Sequence, residues 1–134
     1  MALTSDRNTP RRDGTEFNLG VAASTKIYGG SIACRNAGGY AVPGSTATTL
    51  KALGMATQQV DNSAGADGAK KVQIRKGTFR FANSAAGDLI TIVDIGNDCY
   101  IVDDQTVAKT NGTNTRSVAG KVHDVDADGV WVTF

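Results

Sequence analysis

The chain has 134 residues, with 14 Lys and Arg against 13 Asp and Glu, for a formal net charge of +1. That length fits a single domain with one modest core, and near-neutrality excludes a strong global field for nucleic acid or an anionic membrane. Sixteen glycines against two prolines, with many Ala, Thr, Asp and Asn, suit a turn-rich β protein and not a helical bundle.

Residues 1–18 are polar and irregular, and they carry Arg7, Arg11 and Arg12 with few apolar anchors. The opening MALTSDRNTPRRDG lacks the apolar stretch of a secretory signal, and no later run approaches the roughly 18 apolar residues of a membrane helix. Export and membrane insertion are therefore not expected. The segment reads as an extended N-terminal arm, either a disordered terminus or one that orders on a partner by pairing its arginines with carboxylates. Residues 19–134 read as the folded β domain.

Residues 19–42 read as short strands around a Gly-rich turn, with Tyr28 before Gly29-Gly30 and Tyr40 after Gly38-Gly39. Pro43-Gly44 closes that unit as a turn. Leu50–Val60 has helix-forming Ala and Leu, but Gly54 costs a helix about 1 kcal/mol, and a strand is the expectation. Lys71–Phe81 (KVQIRKGTFRF) alternates as a strand, with Gly77 marking a bulge or bend. Residues 82–88 read as a turn or one helical turn, and Leu89–Ile95 as a largely apolar strand. Cys99–Val102 follows as a further strand. Asp103 and Asp104 are placed to cap a short helix through Gln105–Lys109. The last nineteen residues, RSVAGKVHDVDADGVWVTF, form a hairpin pattern with Asp128-Gly129 at the turn. The expectation is seven to nine short strands in an all-β fold, a small barrel or sandwich.

Candidate chemistry is sparse. Asp124-Val-Asp126-Ala-Asp128-Gly129 matches only the first half of a calcium loop, and its flanks are strand-like, so an acidic hairpin turn is expected. His123 lies beside Asp124, but nothing in the spacing brings it to Cys34 or Cys99, and nucleophile signatures are missing. Those cysteines are expected as free, buried thiols. Phe79 and Phe81, with Arg75 and Arg80 nearby, mimic a base-stacking strand; core phenylalanines with solvated cations are the plainer reading. The glycines form no phosphate-binding pattern. Trp131 is out of phase with Val130, Val132 and Phe134, so it either faces an oligomer interface or packs under the arm or a loop. No cofactor and no metal is expected.

KIYGGSIACRNAGGYAVPG, LGMATQQVDNSAGADGAKKVQIRKGTFRF, YIVDDQTVAKT and TRSVAGKVHDVDADGVWVTF together resemble the capsid cement, or head decoration, proteins of tailed bacteriophages and Mu-like prophages. The resemblance spans about residues 19–134. It implies a β-barrel or β-tulip-like domain with no enzymatic activity, made in the host cytoplasm and bound to the outer surface of the expanded capsid. The implied partners are the major capsid protein and two further copies of the chain in a homotrimer, with neither membrane nor direct nucleic-acid contact. On that reading Arg7, Arg11 and Arg12 contact the capsid, and Tyr28, Tyr40 and Trp131 serve trimer or capsid contacts. Two other readings remain: a phage tail or baseplate accessory protein, and an OB-like nucleic-acid binder using Phe79, Phe81, Arg75 and Arg80.

Overall fold

A computed structural model describes all 134 residues. Twelve strands account for the regular structure: β1 (Glu16–Gly20), β2 (Thr25–Ile27), β3 (Ile32–Arg35), β4 (Ala41–Pro43), β5 (Lys51–Ala56), β6 (Val60–Asn62), β7 (Lys71–Arg75), β8 (Thr78–Asn83), β9 (Asp98–Ile101), β10 (Thr106–Ala108), β11 (Val118–Asp126) and β12 (Gly129–Thr133). Two short 3-10 turns, Ala86–Asp88 and Ile92–Asp94, are the only helical pieces. No helix is long and apolar enough to cross a membrane. The fold is all-β and contains a small closed barrel, ordered β10-β8-β12-β11-β9. Beside it lie an open five-stranded sheet, β1-β7-β5-β3-β4, and a two-stranded ribbon, β2-β6.

The first half of the chain builds the sheet and ribbon, and the second half builds the barrel. The two halves are joined at β3, which is buried on both faces. Ile32 and Cys34 point into the barrel core with Phe81, Ile90, Cys99, Ile101, Val107, Ala119, Val122, Val130 and Val132. Ala33, between them, points into a second core with Val21, Ile27, Ala41, Ala56, Val60, Val72 and Ile74. Period-two alternation thus feeds two cores from one strand, where a surface strand would feed one core and solvent.

Several local expectations change. Backbone pairing begins at Glu16, so Glu16–Asn18 belong to the sheet and the unpaired arm is 1–15. Lys71–Phe81 is two strands in different sheets: β7 pairs with β1 and β5, whereas β8 pairs with β12 and β10. Gly77, at φ +152°, is the crossing point and not a bulge within one strand. Leu89–Ile95 is not a strand. Asn83 pins Ile90 by both amide groups (2.8 and 3.0 Å), and Asp94 closes the Ile92–Asp94 turn by accepting from the Thr91 N–H at 2.8 Å. Gln105–Lys109 is not a helix but holds strand β10 (Thr106–Ala108); Asp103 accepts the Gln105 N–H as an Asx turn, and β10 closes the barrel between β8 and β9.

The closing hairpin forms as its alternation predicts, with Val130 and Val132 fully buried and Trp131 on the outer face. β11 departs from strict alternation. Register shifts on either side, at Ala119 against β9 and at His123 against β12, turn Ala119 and Val122 inward and leave Val118 43% exposed. Such bulges add twist, which a five-stranded barrel needs in order to close.

Candidate binding surfaces

The groups singled out for catalysis or metal binding are not brought together. Cys34 and Cys99 are free and fully buried in the barrel core. Desolvation pushes their thiols up to about 12 and about 11, away from the thiolate that a nucleophile requires. His123 is exposed on β11. In the DVDADG turn, Asp126 Oδ1 accepts the backbone N–H groups of Asp128 (2.8 Å) and Gly129 (3.1 Å), and Oδ2 accepts the Trp131 indole N–H at 2.8 Å. Those bonds, with the Trp131 donor foremost, hold its carboxyl below the usual carboxylate range. The turn is organised around protein donors, and no group of three or more His, Cys, Asp or Glu side chains is placed to hold a metal.

The aromatic strand expected of an OB-like binder is likewise committed. Phe81 is buried, and Phe79 packs beside it against Phe134, with ring centroids 5.8 Å (Phe81–Phe134) and 6.4 Å (Phe79–Phe134) apart. Arg75 binds Glu16, and Arg80 lies over the Trp131 ring at 5.8 Å. The Phe81 ring is thus closed to a base, and the half-buried Phe79 is packed against Phe134.

What remains is contact surface. Residues 1–15 are exposed throughout, and Arg7, Arg11 and Arg12 form no ion pair with the body. The arm's first backbone bond to the body is from Lys76 N–H to Thr15 O at 2.7 Å. Tyr28 is 54% exposed, with the Lys26 ammonium 4.9 Å from its ring centroid. Tyr40 is half-buried; its ring lies against the backbone of Gly20, Gly38 and Gly68, and its N–H donates to Asn36 Oδ1, so it supports the turns around it. Trp131 lies on the outer face of the barrel, half-buried, with Arg80 over its ring and its indole N–H bonded to Asp126.

The surface that sequence reasoning missed is the Leu89–Ile95 loop. Leu89, Ile92, Val93 and Ile95 are 44, 72, 81 and 45% exposed. The loop that displays them is tightly braced. Besides the Asn83 and Asp94 bonds, Gly96 N–H donates to Val122 O at 2.8 Å, and the Lys109 ammonium lies 3.6 Å from the mostly buried Asp94. At the neighbouring turn Asp88 accepts from Thr110 Oγ1 and from Arg116, and both contacts hold its carboxyl low. The apolar run was visible in the sequence, but its period could not separate a buried strand from a braced loop.

No family model, no curated protein and no solved structure matches this chain. Fold and surfaces define it as a small all-β protein with a closed five-stranded barrel, an unpaired basic arm and a braced apolar loop.

Proposed function

We propose that the protein is a structural head protein of a tailed bacteriophage or Mu-like prophage. It binds the outer surface of the expanded capsid as a homotrimer and cements neighbouring major capsid subunits against internal DNA pressure. The reading starts from the resemblance of residues 19–134 to capsid cement proteins. The observation that carries it further is the braced loop, whose four large apolar side chains face solvent on a rigid scaffold. Holding such a loop in one conformation lowers the entropy lost on binding. Burying Ile92 and Val93 alone would contribute about 3–6 kcal/mol.

The arm supplies a second contact of opposite character, charged where the loop is apolar. Arg7, Arg11 and Arg12 would pair with capsid carboxylates, and the trimer would repeat both contacts three times, so modest individual affinities multiply by avidity. Trp131, Tyr28 and the half-buried Tyr40 are the remaining aromatics for trimer or capsid contact.

Purified protein mixed with expanded capsids that lack a decoration protein, then imaged by cryo-electron microscopy, tests the proposal. Density at three-fold positions, with residues 1–15 ordered on the shell and Leu89–Ile95 at a protein contact, is the expected result. Bare capsids, with the protein on tails or baseplates instead, would replace this reading with that of a tail accessory protein.

A further inference from the structure

The chain leaves the open sheet before β5 is covered on both sides. β5 pairs with β3 from Lys51 to Met55, but with β7 only at Met55 and Ala56. Past Arg75 the backbone turns away at Gly77 into the barrel, so no strand pairs with the flank of Lys51–Leu53 on that side, and at its near end Leu50 N–H donates to Ser117 Oγ at 3.2 Å. A second stretch is open for a similar reason. β11 pairs with β12 only from Lys121 onward, which leaves Val118–Gly120 without a paired residue of β12, although Gly120 lies close against the Thr133 carbonyl. Both stretches border one cleft of about 640 Å³, together with Thr133 and Phe134.

The cleft is basic in a nearly neutral protein. Lys51, Lys76, Arg116 and Lys121 line it, with Asp98 as its carboxylate. Lys121 is paired with Asp98 at 2.6 Å, and Arg116 with Asp88 at 3.1 Å. Lys51 and Lys76 are exposed and have no ion-pair partner.

We propose that this cleft seats an extended acidic segment of a protein partner, which adds to the open flank of β5 as a strand. An uncovered strand flank offers backbone hydrogen bonds to any extended peptide, and the lysines select its charge. The cleft volume falls within the roughly 300–1,000 Å³ of ligand-binding clefts. At about 3.3 Å per strand residue the flank spans a segment of about three residues, and because backbone groups alternate sides, about one or two of them would pair with it. The arm of a second copy is the wrong occupant, because Arg7, Arg11 and Arg12 bring positive charge to a positive cleft. The proposal is independent of the capsid reading, since it rests on strand pairing and charge alone.

The test is a titration of the full chain with an acetylated Val-Glu-Val-Glu-Val peptide, followed by backbone amide chemical shifts. Saturable shifts at Lys51–Leu53 and Val118–Gly120 are expected. A Lys51→Glu/Lys76→Glu chain should bind about tenfold or more weakly, a factor set by losing two charge contacts. A backbone N-methylated peptide of the same charge should not bind, and neither should Val-Lys-Val-Lys-Val. Absence of shifts at these amides at about 1 mM peptide would overturn the proposal, because a weaker site has no useful affinity. So would equal binding of the N-methylated peptide, or an equal response to oligodeoxythymidylate, since either would make the cleft a general anion surface.

Discussion

The two cores that meet at β3 are built by different means. The barrel core is filled with bulk: Phe81, Ile90, Ile101 and four valines, backed by Phe79 and Phe134. Its strands close on themselves, so their hydrogen bonds need no outside partner. The core between sheet and ribbon contains three alanines, Ala33, Ala41 and Ala56, and is tied by a polar group. Asn62, 1% exposed, donates its side-chain amide to the carbonyls of Val21 (3.2 Å), Ala22 (3.0 Å) and Ala66 (2.9 Å). The barrel is therefore held by packing and closure, and the ribbon side by close backbone approach and one amide. The difference teaches where each half can carry contacts. The barrel closes on itself except at the Val118–Gly120 end of β11 and presents a loop, whereas the open sheet has edges and presents an arm and an uncovered flank.

The largest losses of stability are expected from adding a methyl where backbones nearly touch, once in each half. A Cβ at Gly54 would collide with the Arg75 carbonyl oxygen, and one at Gly129 with that of Phe81; both glycines have φ near +150°. Gly54→Ala and Gly129→Ala are each expected to cost about 3 kcal/mol or more, through strain plus overlap. Because β3 belongs to both cores, denaturant titration should show one transition for each variant. Two separated transitions would mean that the halves unfold independently.

Cavities come next. Ile101→Ala in the barrel and Ile74→Ala in the ribbon-side core remove equal side chains, both fully buried. Each should cost about 2–5 kcal/mol, with the ribbon-side value lower if small alanine neighbours let that core collapse. Equal values in urea titrations would remove the distinction drawn between the cores. Asn62→Ala should cost about 1–3 kcal/mol by stranding buried carbonyls, while Asn83→Ala should disturb the apolar loop and leave the ribbon intact. Amide exchange resolved by residue separates these outcomes.

The smallest effect is electrostatic and falls mostly in the barrel half; in the ribbon only Asp61 has a lowered pKa, owed first to the Ser63 hydroxyl. Asp88, Asp94 and Asp126 all have lowered pKa values in the folded chain, owed first to Thr110 Oγ1–H, the Thr91 N–H and the Trp131 N–H respectively. Their contribution is present above the unfolded value of about 3.9 and is lost as pH falls through the lowered folded values. The melting temperature should stay level near neutrality and fall below about pH 4. Trp131→Phe, which lacks the indole N–H, should make that acid slope shallower. An unchanged slope would remove Asp126 from the account.

Much of this architecture was written in local patterns. Alternation located the closing hairpin, and Asp128-Gly129 located its turn, because a half-buried strand must alternate and a tight turn needs positive φ. Within Leu50–Val60, Lys51–Ala56 is strand β5, where Gly54 disfavoured a helix, while Val60 already begins β6 in the ribbon. The failures share a cause, since they depend on contacts distant in sequence. Nothing near Gly77 says that residues on either side join different sheets. The apolar run Leu89–Ile95 looks like a core strand until Asn83 and Asp94 are seen to brace it. Gln105–Lys109 had the cap of a helix, but the barrel needed a strand to close. The surfaces were less legible than the fold. The arm's arginines were evident from composition, whereas Tyr40 spends its ring on neighbouring glycines and the apolar loop was taken for interior.

The way the arm joins the body has a mechanical consequence. It runs directly into β1, an edge strand held through five residue pairs to β7 alone. Tension on the arm is thus delivered first to the Lys76–Thr15 backbone bond and then to Glu16, whose carboxylate is gripped by Arg75 Nε at 2.7 Å and Gln73 Nε2 at 2.8 Å. Pulled along the strand, β1 must shear all its pairs together; pulled away from the sheet, it unzips one pair at a time from Glu16. The same tether is therefore stiff to loads tangential to the sheet and yielding to loads that lift it, so its orientation on a surface decides whether it anchors or peels.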